Sequence, residues 1–175
     1  SNNSWNHWAA YHETIDLAAP GENIRSTTTA PNGYSSWDGS SMASPVAASV
    51  FGLLKSYNLD WTNEMVQTMV LATADPIIYT VNSENYLDGM LGKGRVDSYK
   101  ALTTPLFPKI EYSGEDIMLI NDSNGIINPG DQFELSLILF NYPEWGTAIN
   151  ASGFLQSNNS QVVVQNPVIN LGNIN

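Results

Sequence analysis

The sequence predicts an α/β portion over residues 1–104, followed by an all-β antiparallel sandwich over residues 105–175. Three features carry this. Val46, Val50, Leu53 and Leu54 recur at the spacing of one helix face, and Met65, Val66, Met69, Val70 and Thr73 trace a second. Short apolar alternations at 14–18 and 24–27, each bounded by Gly, Pro or Asn, read as strands beside those helices. From about Thr103 to Pro108 helical periodicity disappears, and 110–120, 132–141 and 161–164 read as strands between turn residues.

In chain order, residues 1–13 are polar and aromatic, a loop anchored by Trp5, Trp8 and Tyr11. Residues 14–18 form a short buried strand that stops at Pro20-Gly21, and 24–27 form a second. Residues 28–36, with Pro31, Asn32 and Gly33, make a surface loop leading to Gly39-Ser40-Ser41. The helix that follows carries small residues at Ala43, Ala47, Ala48, Ser49 and Gly52, which suits close packing on several sides. Thr62 is placed to cap the next helix, with Glu64 favouring its positive end, and Asp75-Pro76 ends it. Residues 79–91 read as a loop, and Arg95 as a structural ion-pair residue.

Composition excludes several classes. The net charge of −11, from 17 acidic against 6 basic residues, repels phosphate backbones, so nucleic acid is not an expected partner. No apolar run is long enough to cross a bilayer. Without cysteine there are no disulfides and no thiolate metal sites. The low-lysine, Asn/Ser-rich composition suits an exported bacterial protein.

The chemistry centres on Ser41. Backbone N–H groups at a helix start lack intrahelical acceptors and sit at the positive end of the dipole, so an oxyanion formed there meets donors. On the helix start alone, Ser41 serves equally well as a cap. Gly39-Ser40-Ser41-Met42-Ala43-Ser44-Pro45, however, resembles the Gly-Thr-Ser-Met-Ala-Ser-Pro signature of subtilisin-like serine proteases, with Ser41 at the nucleophile position. The run from Ile15 through Asp16, Ala19-Pro20-Gly21 and Ile24 to Ser26-Thr27 is similar to a second segment of that family, and Gly92-Lys93-Gly94-Arg95-Val96-Asp97 to a third that closes many of its catalytic domains. Ser40 stands where threonine is usual and Val46 where histidine is, neither a catalytic position. A nucleophile elbow is excluded by Ala43, and no Ser-x-x-Lys occurs.

The resemblance implies the C-terminal part of a three-layer, parallel-sheet peptidase domain over 1–104, with Ser41 as nucleophile and its N–H as an oxyanion donor. In that family the order is Asp, His, Ser, with the serine roughly 150 residues after the histidine. The triad Asp and His, and the oxyanion asparagine, are therefore expected on sequence preceding this chain, and the piece alone is expected to be inactive. His7 and His12 fall outside any histidine motif of the family, and Asp16 holds a structural aspartate's place. Substrates are expected to be proteins or peptides, the setting secreted or cell-surface, and no cofactor is needed, although calcium is possible in the full-length parent.

Residues 105–175 resemble the small immunoglobulin-like modules that follow many bacterial exported hydrolases, with a cell-surface or spacer role. The stretch is short for a complete sandwich, and its last strand, 168–174, reads as unfinished. Asp122 and Asn124 resemble half of a calcium loop, but the distal glutamate is missing and an Asx turn accounts for them. The alternative for the whole is a non-catalytic surface protein with a degenerate protease-like domain.

Overall fold

A computed structural model describes residues 3–29, 33–121 and 124–175. The chain divides into two compact units, Ser1–Thr104 and Pro105–Asn175.

In the first unit, β1 (Ile24–Thr27) and β2 (Tyr34–Trp37) form an antiparallel hairpin that leads into α1 (Ser40–Tyr57). Then come α2 (Asn63–Ala72), α3 (Ile77–Val81), a 3-10 turn at Asn85–Leu87 and α4 (Ser98–Thr103). The apolar periodicity explains the packing. Leu54 of α1 and Met69 and Val70 of α2 are fully buried, with Met65, Val66 and Thr73 completing the α2 face read from the sequence. Thr62 caps α2 as expected, its hydroxyl accepting from Met65 N at 3.2 Å.

A backbone seam joins the two ends of this unit. Lys93 N donates to Asp16 O (2.9 Å), Ala18 N to Gly94 O (2.9 Å) and Val96 N to Ala18 O (2.8 Å), a parallel pairing. Arg95 exchanges both backbone bonds with Asp75 on its other side. This crowding explains the two glycines of Gly92-Lys93-Gly94: a Cβ on Gly94 would lie 2.5 Å from Asp75 O, and one on Gly92 2.5 Å from Asp16 O. The Arg95 side chain donates to Asn3 Oδ1 at 2.6 Å and pairs with Asp75 at 3.4 Å, the structural role read from sequence.

Four expectations are corrected here. Residues 15–18 are extended, with Thr14 in a turn, but they are only partly buried, and they meet the 93–96 stretch through Asp16 O and Ala18. The stretch 28–36 is not all loop, because Tyr34–Trp37 pairs with β1. Residues 79–91 are not all loop either: they hold the end of α3 and the 3-10 turn Asn85–Leu87, and Leu87 and Leu91 bury themselves against Ile78 in a small core. Finally, α1 is covered on one flank only: Val50 and Leu54 are buried, whereas Ala48, Ser49, Gly52 and Leu53 are exposed. Of its small residues Ala43 lies against the Gly21 turn, whereas Ala48, Ser49 and Gly52 stay exposed among the described residues.

The second unit contains two separate antiparallel pairs, β3 (Ile110–Leu119) with β4 (Phe133–Asn141), and β5 (Ala148–Phe154) with β6 (Val168–Ile174). The strands read at 110–120 and 132–141, the second from its alternation at Phe133, Leu135, Leu137 and Leu139, anticipated the first pair. Residues 161–164 form no strand, β5 was not foreseen, and 168–174 is a strand paired with β5. Asn141 ties the pairs together: buried, it accepts from Lys109 N (3.1 Å) and donates to Gly146 O (3.0 Å) and Ile174 O (3.1 Å). Asn141→Ala strands three backbone groups and should cost roughly 2–4 kcal/mol, read as a lower urea midpoint for this unit. Midpoints within about 0.3 kcal/mol of wild type would show that the amide is not the tie.

Candidate active site

Gly39 opens α1 at φ 152°, a conformation that L side chains rarely adopt. Its carbonyl accepts from Met42 N (3.0 Å) and Ala43 N (3.1 Å). Ser41 is exposed in the first turn, and its backbone N–H has no acceptor among the described residues. It lies at the positive end of an 18-residue helix with no acidic residue in its first turn. Pro45 sits inside the helix without an N–H, so the Ser41 carbonyl also lacks its regular helical donor. The first turn is therefore held from outside the helix.

The Pro20-Gly21 turn supplies that hold. Gly39 N donates to Gly21 O at 2.8 Å, and Asn23 N to Asp38 Oδ1 at 2.6 Å. A Cβ on Gly21 would meet Gly39 O at 2.9 Å and the Ala43 Cβ at 3.1 Å, so only glycine allows this approach. Below the strap, β1 and β2 continue the pairing from Ile24 with Trp37. The two motifs separated in sequence thus form one assembly around Ser41. The sequence showed both, but not that Gly21 and Asp38 join them.

Ser41, Met42 and Pro45 line a cleft of about 330 Å³ together with Ile24, Thr27 and Trp37. Ser40, Ala43 and Ser44 instead line a groove of about 1180 Å³, together with Leu17, Ala47 and Phe51. The remaining motif residues therefore divide between the two sides of α1. Neither histidine joins Ser41: both are exposed, His12 Nδ1 lies 2.9 Å from the Thr14 hydroxyl, and neither lines the cleft. Asp16 takes part through its backbone carbonyl, in the seam with Lys93.

Among the described residues no group of three or more His, Cys, Asp or Glu is placed to hold a metal ion. Asp122 lies outside the described residues. Asn124 Oδ1 accepts from Ile126 N at 2.7 Å, the bond of an Asx turn. No helix among the described residues is long and apolar enough to cross a membrane.

Comparison with known proteins adds to this geometry. The sequence model of the subtilase family matches residues 1–94. Alkaline elastase YaB of Bacillus sp. (strain YaB) is 37% identical over 73 residues, 42% of this chain and 19% of that protein. Thermitase of Thermoactinomyces vulgaris is 36% identical over 101 residues, 58% of this chain and 33% of the relative. The halolysin-like extracellular serine protease Nep of Natrialba magadii is 39% identical over 90 residues, 51% and 15% of the two chains. The chain thus spans a third or less of each of these relatives.

Proposed function

The chain belongs to the subtilase family, and from that premise we propose that it is the nucleophile-bearing part of a serine endopeptidase. Ser41 Oγ attacks a peptide carbonyl while its proton passes to an imidazole supplied by sequence beyond this chain. The tetrahedral oxyanion is held in part by the Ser41 N–H, and collapse releases the amine and leaves an acyl-Ser41 ester for water to hydrolyse. The observation that carries this reading is an exposed serine whose N–H is unclaimed, in a first turn strapped by a second motif.

Residues 1–104 act in this reading as the C-terminal part of a three-layer peptidase domain, and 105–175 as an incomplete immunoglobulin-like module that serves as a spacer or contacts a surface. The substrates are proteins or peptides, the chemistry requires no cofactor, and the setting is secreted or cell-surface, in a bacterium. Extracellular action is stated for Nep, by its name.

The test is hydrolysis of a denatured protein substrate by the intact parent and by this chain alone. Turnover by the parent and none by the chain is the expected result. An inactive parent whose upstream sequence lacks Asp-Thr/Ser-Gly and His-Gly-Thr-His segments would favour a non-catalytic surface protein. Turnover by this chain alone would mean that a base resides within it.

A further inference from the structure

The Asn124-Gly125 pair, in the connection between β3 and β4, takes no part in the chemistry at Ser41. Asn124, Gly125 and Ile126 are all exposed, so water reaches them. Asn124 Oδ1 accepts from Ile126 N at 2.7 Å. That bond draws electron density from the side-chain carbonyl and sets a donor on the oxygen that turns negative when a nucleophile adds to Cγ, as oxyanion donors do. A nucleophile is the next atom group along the chain. Among the described residues the Gly125 N–H has no acceptor, and nothing lies within 4 Å of the place a Cβ would take. Without a Cβ, Gly125 also turns its nitrogen toward the preceding side chain more freely than any other residue would.

We propose that Asn124 is a self-modification site whose co-reactant is water. The Gly125 nitrogen gives its proton to solvent and bonds to Asn124 Cγ. The Cγ–Nδ2 bond breaks, and ammonia leaves with a proton taken back from solvent, which closes a five-membered succinimide. Water then opens the ring at either carbonyl. Breaking the new N–Cγ bond restores the ordinary backbone with aspartate at 124; breaking the original peptide bond instead leaves isoaspartate, with the chain running through the side chain. Nothing is oxidised or reduced, and either product adds a carboxylate. Other positions lack a part of this arrangement. At Asp38-Gly39 the glycine nitrogen is engaged, donating to Gly21 O at 2.8 Å, and the side chain is a carboxylate rather than an amide. At Asn128-Pro129 the nitrogen carries no proton to lose. Asn141 is buried, with its amide bonded to backbone groups on three sides. The base of the β3–β4 connection is held without Asn124, by Ile120 N on Gln132 O (2.8 Å) and Gln132 N on Asn121 Oδ1 (2.9 Å). Modification therefore alters the tip and leaves the strand pairing in place.

The experiment incubates the intact protein, carrying Ser41→Ala against self-digestion, in mildly alkaline buffer, both folded and in urea. Peptide mapping by mass spectrometry then quantifies aspartate and isoaspartate at position 124. Both products are expected, formed in the folded protein at least as fast as in urea, because the Ile126 donor is present only in the fold. Gly125→Ala should slow conversion at least about tenfold, in urea as well as folded, so a disturbed turn cannot account for the result. Four results would overturn the proposal: no conversion at Asn124; aspartate without isoaspartate, the mark of direct hydrolysis; slower conversion in the folded protein than in urea; or an unchanged rate in the Gly125→Ala variant.

Discussion

Ser41→Ala in the intact protein should lower kcat on the order of a millionfold, the scale of loss that removing the nucleophile causes in subtilisin, while KM changes little. The substitution deletes one hydroxyl and keeps the backbone N–H, so the oxyanion donor and the Gly21–Gly39 strap both survive. What disappears is the acyl-enzyme route itself. Residual hydrolysis roughly a thousandfold above the uncatalysed rate should persist, because binding and oxyanion stabilisation remain. Ser56→Ala, which removes a hydroxyl bonded only to Leu53 O on the exposed end of the same helix, should leave kcat within about twofold. A parent that keeps a tenth of its turnover without the Ser41 hydroxyl would place the chemistry elsewhere.

The second large effect is on stability. Gly94 sits at φ 140°, and an added Cβ would come 2.5 Å from Asp75 O and 2.7 Å from Asp75 C. Neither is the end of a flexible side chain that could swing aside. Accommodation must break the paired bonds between Asp75 and Arg95, the Ala18 N to Gly94 O bond, or both. With roughly 1 kcal/mol for each lost bond and 1–2 kcal/mol of backbone strain, Gly94→Ala should cost about 3–5 kcal/mol. That is a large share of the 5–15 kcal/mol typical of a folded domain, so the first unit should lose its cooperative urea transition or show it at a much lower midpoint. Gly89→Ala is the comparison: it also sits at positive φ, but nothing lies within 4 Å of the added methyl. Its cost should be limited to the conformational term of about 1–2 kcal/mol.

How far the sequence foretold this structure depends on where each signal is stored. Helical spacing is local, so α1 and the buried face of α2 were readable from Val50, Leu54, Met65 and Met69, and the Thr62 cap from its place before that run. The start of α1 was legible as well, because Gly39-Ser40-Ser41 stands at the mouth of the apolar periodicity and the helix begins at Ser40. Burial depends on partners, and no local pattern reports them. Residues 14–18 carry the alternation of a buried strand and α1 the small residues of a crowded helix, yet both face an open groove. In the second unit β4 alternates at Phe133, Leu135, Leu137 and Leu139, and β3 is apolar at both ends between turn residues. Ala148–Phe154, with Asn150 at positive φ and pairing irregularities on either side of Ala151, shows neither pattern, and this hid β5.

The same division applies to the site. A signature of seven consecutive residues pointed to Ser41 before any geometry was known. The strap through Gly21, Asn23 and Asp38 was invisible, because a glycine needed for close approach reads like any turn glycine until its neighbour across the gap is placed.

The most direct measurement is to treat the intact parent with a fluorophosphonate, digest it, and map the adduct by mass spectrometry. A serine reacts at a useful rate only when a base draws off its proton beside prepared oxyanion donors. One phosphonyl group on Ser41 is the predicted result, with no adduct on the Ser41→Ala variant. An unlabelled parent, or an adduct on another serine, would contradict the assignment of Ser41 as the nucleophile.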